Sequence, residues 1–88
     1  MRLPSDPAAM DVHLGSLLVF RHLAQSGSFT ETGRRCGISQ PAVSLMIGRL
    51  ESGLELVLFE RAASGVRLTP DGERFLVKLP DPRTGRPV

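Results

Sequence analysis

Residues 38–51 read Ile-Ser-Gln-Pro-Ala-Val-Ser-Leu-Met-Ile-Gly-Arg-Leu-Glu, and this stretch decides the fold. Its apolar side chains fall at the i, i+3, i+4 and i+7 spacing of one helix face: Val43, Met46, Ile47 and Leu50. Ser39 can accept a hydrogen bond from an amide of the first turn, and Pro41 lies where a missing N–H costs nothing. The stretch therefore predicts a helix that begins after Ser39 and buries one stripe in a core.

The opposite face of this helix carries no charge near its start. Its residues are Gln40, Pro41, Ser44, Leu45 and Gly48. A helix held on one side and presenting such groups on the other suits the major groove of DNA. An ordinary amphipathic helix has the same spacing, so the stretch alone leaves both interpretations open. Gly48 costs about 1 kcal/mol relative to alanine, and it either admits DNA close to the backbone or only weakens the helix.

Composition limits the chain to one small domain. Its 88 residues include 11 Lys and Arg against 9 Asp and Glu, for a net charge of +2. All but one of the basic residues are arginine, which suits bidentate contacts with phosphate and guanine. With Cys36 as the single cysteine and only two separated histidines, we expect no disulfide, metal or cofactor. No stretch approaches about 18 apolar residues, so we expect a soluble cytoplasmic protein without a membrane span.

The N-terminal part is predicted to hold a leader and one helix. Prolines and small polar residues predict a disordered leader over residues 1–11, and Asp11 is a plausible N-cap for a helix that runs to about Ser26. The predicted buried stripe is Leu17, Phe20 and Ala24. Leu14 and Leu18 lie beside this stripe, which indicates either cover by another chain or imperfect amphipathicity.

A short second helix is predicted from Phe29 to Cys36. Residues 28–31 read Ser-Phe-Thr-Glu and match a capping box, in which the serine hydroxyl and the glutamate carboxylate each accept the other residue's amide. Gly37 ends the helix where a left-handed residue costs least. Because so short a segment separates this helix from Ser39, the two form a helix-turn-helix unit.

The remaining chain is predicted to form a hairpin and a fourth helix. The third helix frays over residues 52–54, and β-prone runs at 57–61 and 66–68 flank a loop. Two strands alone are marginal in water, so the hairpin must pack on the helices through Leu58, Phe59 and Leu68.

Thr69-Pro70 then begins a fourth helix, which ends before the prolines that follow Leu79. The predicted fold is mainly α: a winged helix-turn-helix over residues 12–68, a short helix over 69–79 and a disordered tail over 80–88.

Several spaced motifs run through the chain. They are Gly27-Ser28-Phe29-Thr30, Ser39-Gln40-Pro41-Ala42-Val43-Ser44, Ile47 with Leu50-Glu51, Leu58-Phe59 with Arg61, and Leu68-Thr69-Pro70 with Gly72. Together they closely resemble the winged helix-turn-helix domain of LysR-type transcriptional regulators, over about residues 14–79. The resemblance implies a bacterial regulator that binds specific double-stranded DNA through the third helix.

By position in that family, Gln40, Pro41 and Ser44 would face the groove. Gln40 can pair bidentately with adenine, Ser44 can bond a base edge or a phosphate, and Leu45 or Pro41 can cover a thymine methyl group.

Contacts to the DNA backbone have a larger set of candidates. The amides at the start of the third helix can bind phosphate, and the resemblance implies that two wing arginines, Arg61 and Arg67, approach the DNA backbone or the minor groove. The full set is Ser28, Thr30, Ser39, Arg34, Arg35, Arg49, Arg61 and Arg67. Arg34, Arg35 and Arg49 are each also explained as solvated arginines, and we expect only one or two of them to bind.

The chain departs from the family pattern in helix 2 and after helix 3. Thr32, Gly33 and Cys36 replace larger or more helical residues and should reduce stability. Glu55 stands where the family prefers glycine, so we expect a left-handed residue there at a cost of roughly 1 kcal/mol.

The fourth helix is also short, at about 16 Å for ~1.5 Å per residue. In the family this helix is a long dimerisation element that leads to an effector domain, so we expect no small-molecule effector site here. A homodimer could still form through helices 1 and 4, and the candidate residues are Leu14, Leu18, Phe75 and Leu76.

Two functions remain open at this point. The first is sequence-specific binding of double-stranded DNA. The second is a protein-interaction module that heterodimerises with a full-length regulator. An enzyme is not expected, because the chain has no nucleophile elbow, no metal-ligand spacing and no phosphate-binding glycine loop.

Overall fold

The computed structural model describes residues 7–79, with side chains described from residue 15 onward. Its elements in order are α1 (Pro7–Ser26), α2 (Phe29–Cys36), α3 (Gln40–Leu54), β1 (Phe59–Ala62), β2 (Gly65–Leu68) and α4 (Pro70–Lys78). The predicted mainly helical, winged helix-turn-helix fold is confirmed. The predicted tail over 80–88 and the first residues of the predicted leader lie outside the described residues.

The apolar stripe of α3 anchors the domain. Its buried residues are Val43, Ile47 and Leu50, while Met46 is half-buried at the edge. They share one core with Phe20 and Leu23 of α1, both fully buried, and with Leu58 ahead of the hairpin. The stripe predicted from the sequence of α3 therefore lies in the core.

The turn from α2 to α3 is held by backbone contacts. Gly37 is left-handed at φ 71°, and both its N–H and that of Ile38 donate to the carbonyl of Gly33. A Cβ on Gly33 would lie 2.7 Å from the Ile38 carbonyl oxygen. The sequence pattern predicts only a loss of stability from glycine at 33, whereas in the structure its bare backbone lets this turn close.

α1 differs from the prediction in its start and in its buried face. The helix begins at Pro7 rather than after Asp11, so the predicted disorder is wrong for residues 7–11. Proline is favoured at the first helical position, and strong helix formers follow it. The buried residues are Ser16, Val19, Phe20 and Leu23, with Leu17 and Ala24 only half-buried. The polar Ser16 hid the true stripe from the hydrophobic pattern.

Only half of the predicted capping box forms at the start of α2. The Ser28 hydroxyl accepts from the Glu31 amide at 3.1 Å, as predicted. The Ser28 amide, however, donates to the Ser26 hydroxyl, and the Glu31 carboxylate binds Arg34 and Arg35 instead. Charge-assisted bonds to two guanidinium groups are stronger than one bond to a neutral amide, so the carboxylate turns away from the cap.

α3 remains helical through Leu54, so the predicted fraying over 52–54 is wrong. The reason lies at its C-cap. Glu55 takes φ 57° and ψ 39°, and its N–H donates to the carbonyls of Glu51 and Ser52. The left-handed residue predicted at 55 is confirmed.

A carboxylate joins α3 to the hairpin. Oε2 of Glu51 accepts hydrogen bonds from the amides of Leu58 at 2.7 Å and Phe59 at 3.3 Å. Because the Leu58 side chain is fully buried, these bonds set where the chain leaves α3 and enters the core. This role of Glu51 is not evident from the sequence pattern.

The wing is a two-stranded antiparallel hairpin in which Phe59 faces Leu68 and Ala62 faces Gly65. Its first strand begins at Phe59 rather than at residue 57, and its loop is shorter than predicted. Leu58 is buried and Phe59 and Leu68 pack against the core, so the predicted packing of the hairpin on the helices is confirmed.

The wing also docks on the junction between α1 and α2. The Val66 amide donates to the Gly27 carbonyl at 3.0 Å. A Cβ on Gly65 would collide with that same carbonyl oxygen. Glycine at 65 therefore allows the backbones to meet and fixes the position of the wing relative to the helices.

α4 begins at the predicted cap. The Thr69 hydroxyl oxygen accepts from the Gly72 amide at 3.0 Å, and its hydrogen is donated to the Val57 carbonyl. Further along, the Phe75 ring meets the Phe20 ring edge-on with centroids 5.1 Å apart. α4 therefore closes the core on the side of α1 and the wing.

Replacing Glu51 by alanine should lower the free energy of unfolding by about 2 kcal/mol, since hydrogen bonds to a charged partner contribute about 1.5–3 kcal/mol. Glu51→Gln keeps an acceptor oxygen and should lose less. Urea denaturation followed by circular dichroism measures both, with the exposed Glu73→Ala as control. Wild-type stability in Glu51→Ala would contradict the structural role of this carboxylate.

Replacing Glu55 by glycine should raise the free energy of unfolding by about 1 kcal/mol, because it relieves a left-handed backbone at a residue with a Cβ. The matched reverse change is Gly37→Ala at the C-cap of α2, where nothing lies within 4 Å of an added Cβ. Gly37→Ala should lower the free energy of unfolding by a similar amount in the same denaturation experiment. If both variants were less stable, relief of strain at Glu55 would be refuted.

Candidate nucleic-acid interface

The N-terminus of α3 is open and free of acidic side chains. The Ser39 hydroxyl caps it by accepting from the Ala42 amide at 3.2 Å, and no acidic residue lies in the first turn. Gln40 and Pro41 are both exposed there. Free amides and the positive end of the helix dipole make such a terminus suited to phosphate.

The outer face of α3 presents a shallow, exposed surface. It is lined by Pro41, Ser44, Leu45, Gly48, Arg49 and Ser52. Leu45 is 55% exposed although it is a large apolar residue. The four residues predicted to face the groove, Gln40, Pro41, Ser44 and Leu45, are therefore all at the surface of one helix and accessible together.

A groove runs between α3 and the wing. Gln40, Ser44 and Gly48 line one side, and Arg61 with residues of the hairpin lines the other. Because Glu51 and the Gly27–Gly65 contact hold the wing in place, the distance between the two walls is set by the fold. The helix face and Arg61 can therefore meet one rigid partner at the same time.

The arginines of α2 are engaged by an acidic neighbour. Glu31 binds Arg35 at 3.0 Å and Arg34 at 3.1 Å. Hydrogen bonds from Arg35 and then Arg34 hold the pKa of the Glu31 carboxyl below its ordinary value of 4.5, so the acid is ionised at neutral pH. Both arginines are at the surface, but one carboxylate already offsets part of their charge.

The two wing arginines differ in whether an acidic side chain binds them. Arg67 pairs with Glu60 directly across the hairpin at 2.8 Å. Arg61 is exposed, as is Arg49 on α3, and within residues 7–79 neither forms an ion pair. Of the predicted arginine contacts, Arg49 and Arg61 therefore have the most available charge. The pairing of Arg67 with Glu60 is not evident from the motifs, although the register of the hairpin places the two residues opposite each other.

The remaining phosphate candidates lie at helix starts. Ser28 is half-buried and its oxygen caps α2, while Thr30 is exposed in the first turn of the same helix. Both capping serines, Ser28 and Ser39, accept hydrogen bonds from amides, which leaves each hydroxyl hydrogen available to a phosphate.

The residues predicted to form a dimer surface do not form one patch. Phe75 and Leu76 are half-buried and pack against the core, because the Phe75 ring fills space against Phe20. Leu18 is 58% exposed, and lines a separate apolar groove with Cys36 and Met46. The side chain of Leu14 lies outside those described. On α4 the exposed apolar residue is Val77 instead.

Among residues 7–79, no three His, Cys, Asp or Glu side chains are grouped to hold a metal ion. None of the helices described combines the length and the apolar character that spanning a membrane requires.

Comparison with protein families identifies a match that covers most of the described residues. The family described as bacterial regulatory helix-turn-helix proteins of the LysR family matches residues 14–73. This range contains α2, α3 and the whole wing, together with most of α1 and the first turn of α4.

Curated relatives are similar over the same region. An HTH-type transcriptional regulator in the ibpB-leuC intergenic region of Azotobacter vinelandii is 46% identical over 63 residues, which are 72% of this chain and 44% of that protein. The HTH-type transcriptional regulator TfdS of Cupriavidus pinatubonensis is 47% identical over 60 residues, which are 68% of this chain and 20% of that protein. The chain thus spans less than half the length of these relatives.

The solved structures that are similar to this chain include two DNA-binding domains in complex with DNA. The complex of the CbnR DNA-binding domain with DNA matches with a TM-score of 0.66 and 34% identity, over 69% of this chain and 70% of that one. The complex of the BenM DNA-binding domain with catB site 1 DNA matches with a TM-score of 0.66 and 35% identity, over 70% of this chain and 67% of that one. Both of these similar proteins were solved on DNA.

Proposed function

Because the chain belongs to the LysR family of bacterial helix-turn-helix regulators, we propose that it binds a specific double-stranded DNA sequence through α3. The observation that carries this proposal is the outer face of α3, which is exposed, is lined by no acidic residue and is flanked by Arg49 and Arg61, neither of which forms an ion pair within residues 7–79. The similarity to two DNA-binding domains solved on DNA supports it.

Base recognition is assigned to the first two turns of α3. The Gln40 amide can donate to and accept from adenine, and the Ser44 hydroxyl can bond a base edge or a phosphate. Pro41 and Leu45 flank these groups and offer apolar surface to a thymine methyl group. An exposed leucine beside polar groups is explained by this role, since no partner in the described chain covers it.

Backbone contacts are assigned mainly to unpaired cations and helix ends. Arg49 and Arg61 border the two sides of the α3 face, so they would reach phosphates on either wall of the major groove. The capped N-termini at Ser28 and Ser39, with the exposed Thr30 nearby, supply amide and hydroxyl donors. Arg34, Arg35 and Arg67 would contribute less, since Glu31 and Glu60 already offset their charge.

A second candidate function is an interaction module that pairs with another regulator chain. Exposed apolar side chains favour it: Leu18 is 58% exposed and Val77 is 55% exposed. These residues would form the contact in a homodimer or a heterodimer, in place of the predicted Phe75 and Leu76.

A regulator of this kind would act on the chromosome in the cytoplasm. Neither DNA binding nor pairing with another regulator chain involves catalysis.

Replacing Gln40 and Ser44 together by alanine should weaken binding to the preferred duplex by roughly 5- to 150-fold, because a good base contact contributes about 1–3 kcal/mol. Fluorescence anisotropy with an A·T-rich interrupted palindrome measures the loss. A scrambled duplex is the control and should bind both chains equally.

Circular dichroism of the double variant serves as the control that its fold is intact. Equal affinity of wild type and double variant for the palindrome would refute base recognition by α3. If the double variant still formed dimers while neither chain bound DNA, the interaction module would become the better explanation.

Arg49→Ala and Arg61→Ala should each reduce the slope of log affinity against log salt concentration by about 0.9, the value for one neutralised phosphate. Arg34→Ala removes the same charge from a side chain held by Glu31, and should reduce the slope by less than half as much. Titrations at three or more salt concentrations measure these slopes. A larger effect from Arg34→Ala than from the other two would contradict the assignment by ion pairing.

A further inference from the structure

Two glycines in α3 have no reason inside the described chain to be glycine. The glycines with a positive φ or with a close neighbour are Gly15, Gly27, Gly33, Gly37, Gly65 and Gly72. At Gly48 and Gly53 the backbone is helical and nothing lies within 4 Å of an added Cβ. Both weaken the helix relative to alanine, so any benefit at either position must come from outside the described residues.

Gly48 points directly away from the core. At about 100° of rotation per residue, it is turned away from Leu50 by about 160° and from Val43 by about 140°. It lines the outer surface of α3 together with Leu45, and also the groove beside the wing together with Arg61. Gly53 lines neither of these surfaces. The two glycines therefore share a helix but only one of them lies on the proposed DNA-binding face.

We propose that Gly48 is the point of closest approach between α3 and DNA, where bases pack against bare helix backbone. This inference rests on the proposed function. Without a Cβ, the helix can lie closer to the groove floor by about 1.5 Å, the length of one carbon–carbon bond. Ser44 lies one turn earlier on the same exposed surface, and its short side chain would benefit from a close approach of the helix to the bases.

The assignment makes Gly48 a determinant of specificity rather than of charge. An added methyl group at 48 separates the α3 face from the bases, while Arg49 and Arg61 have long side chains and still reach phosphates. Binding to an arbitrary duplex should therefore survive, because it depends on phosphate contacts. Discrimination between sequences should fall, because it depends on base contacts.

The test uses the whole chain and two duplexes. The wild type selects one duplex from a randomised library, and the other is a shuffled version of it. Gly48→Ala should bind the selected duplex at least about tenfold more weakly, a loss typical of one base contact, and the shuffled duplex as the wild type does. The matched variant Gly53→Ala should bind both duplexes as the wild type does. Both variants should melt at a higher temperature, because alanine favours the helix.

The outcomes separate this inference from the proposed function. A Gly48→Ala chain that binds the selected duplex as tightly as the wild type overturns the assignment of Gly48 alone. So does a Gly48→Ala chain that loses affinity together with melting temperature, because its effect is then on folding. A wild-type chain that selects no preferred duplex overturns the proposed function, and the assignment with it, before any variant is measured.

Discussion

Burial of one face of α3 against α1 is the constraint on which the rest of this structure depends. Val43, Ile47 and Leu50 share a core with Phe20 and Leu23, and this contact fixes which side of α3 faces outward. The close turn at Gly33 and Gly37 then sets the angle at which α3 leaves α2. Every residue proposed to meet bases depends on that orientation, although none of them belongs to the core.

The wing depends on α3 through a different kind of contact. The Glu51 carboxylate accepts hydrogen bonds from two backbone amides at the entry to β1, and Gly65 lies against the Gly27 carbonyl. Hydrogen bonds to backbone amides are short and directional, and they add to the apolar packing of Leu58, Phe59 and Leu68 on the core. The groove between α3 and Arg61 is consequently part of the fold, and the available positive charge lies at a defined distance from the groove-facing helix.

The sequence predicted those features that depend on local pattern. The α3 stripe and the caps at Ser39 and Thr69 follow from spacing and residue type, and the left-handed Glu55 is implied by the family resemblance. Several failures arose where the folded arrangement selects among partners that the local pattern leaves open. Ser16 is buried by tertiary packing despite its hydroxyl, Glu31 leaves the capping box for two arginines, and Arg67 pairs across the hairpin. The motifs were enough to locate the candidate site. The three-dimensional arrangement was needed to show which of its arginines are paired with an acidic side chain.

α3 is a poor helix by propensity, and its position must come from tertiary contacts. Gly48 and Gly53 interrupt its exposed side and Glu55 strains its end, each at a cost of about 1 kcal/mol. A 15-residue helix with these defects would be marginal in isolation. The buried stripe and the Glu51 link offset those costs. Because its stability comes from the buried side, the exposed side is free to be shaped by what it binds, and improving α3 as a helix need not improve it as a reader of DNA.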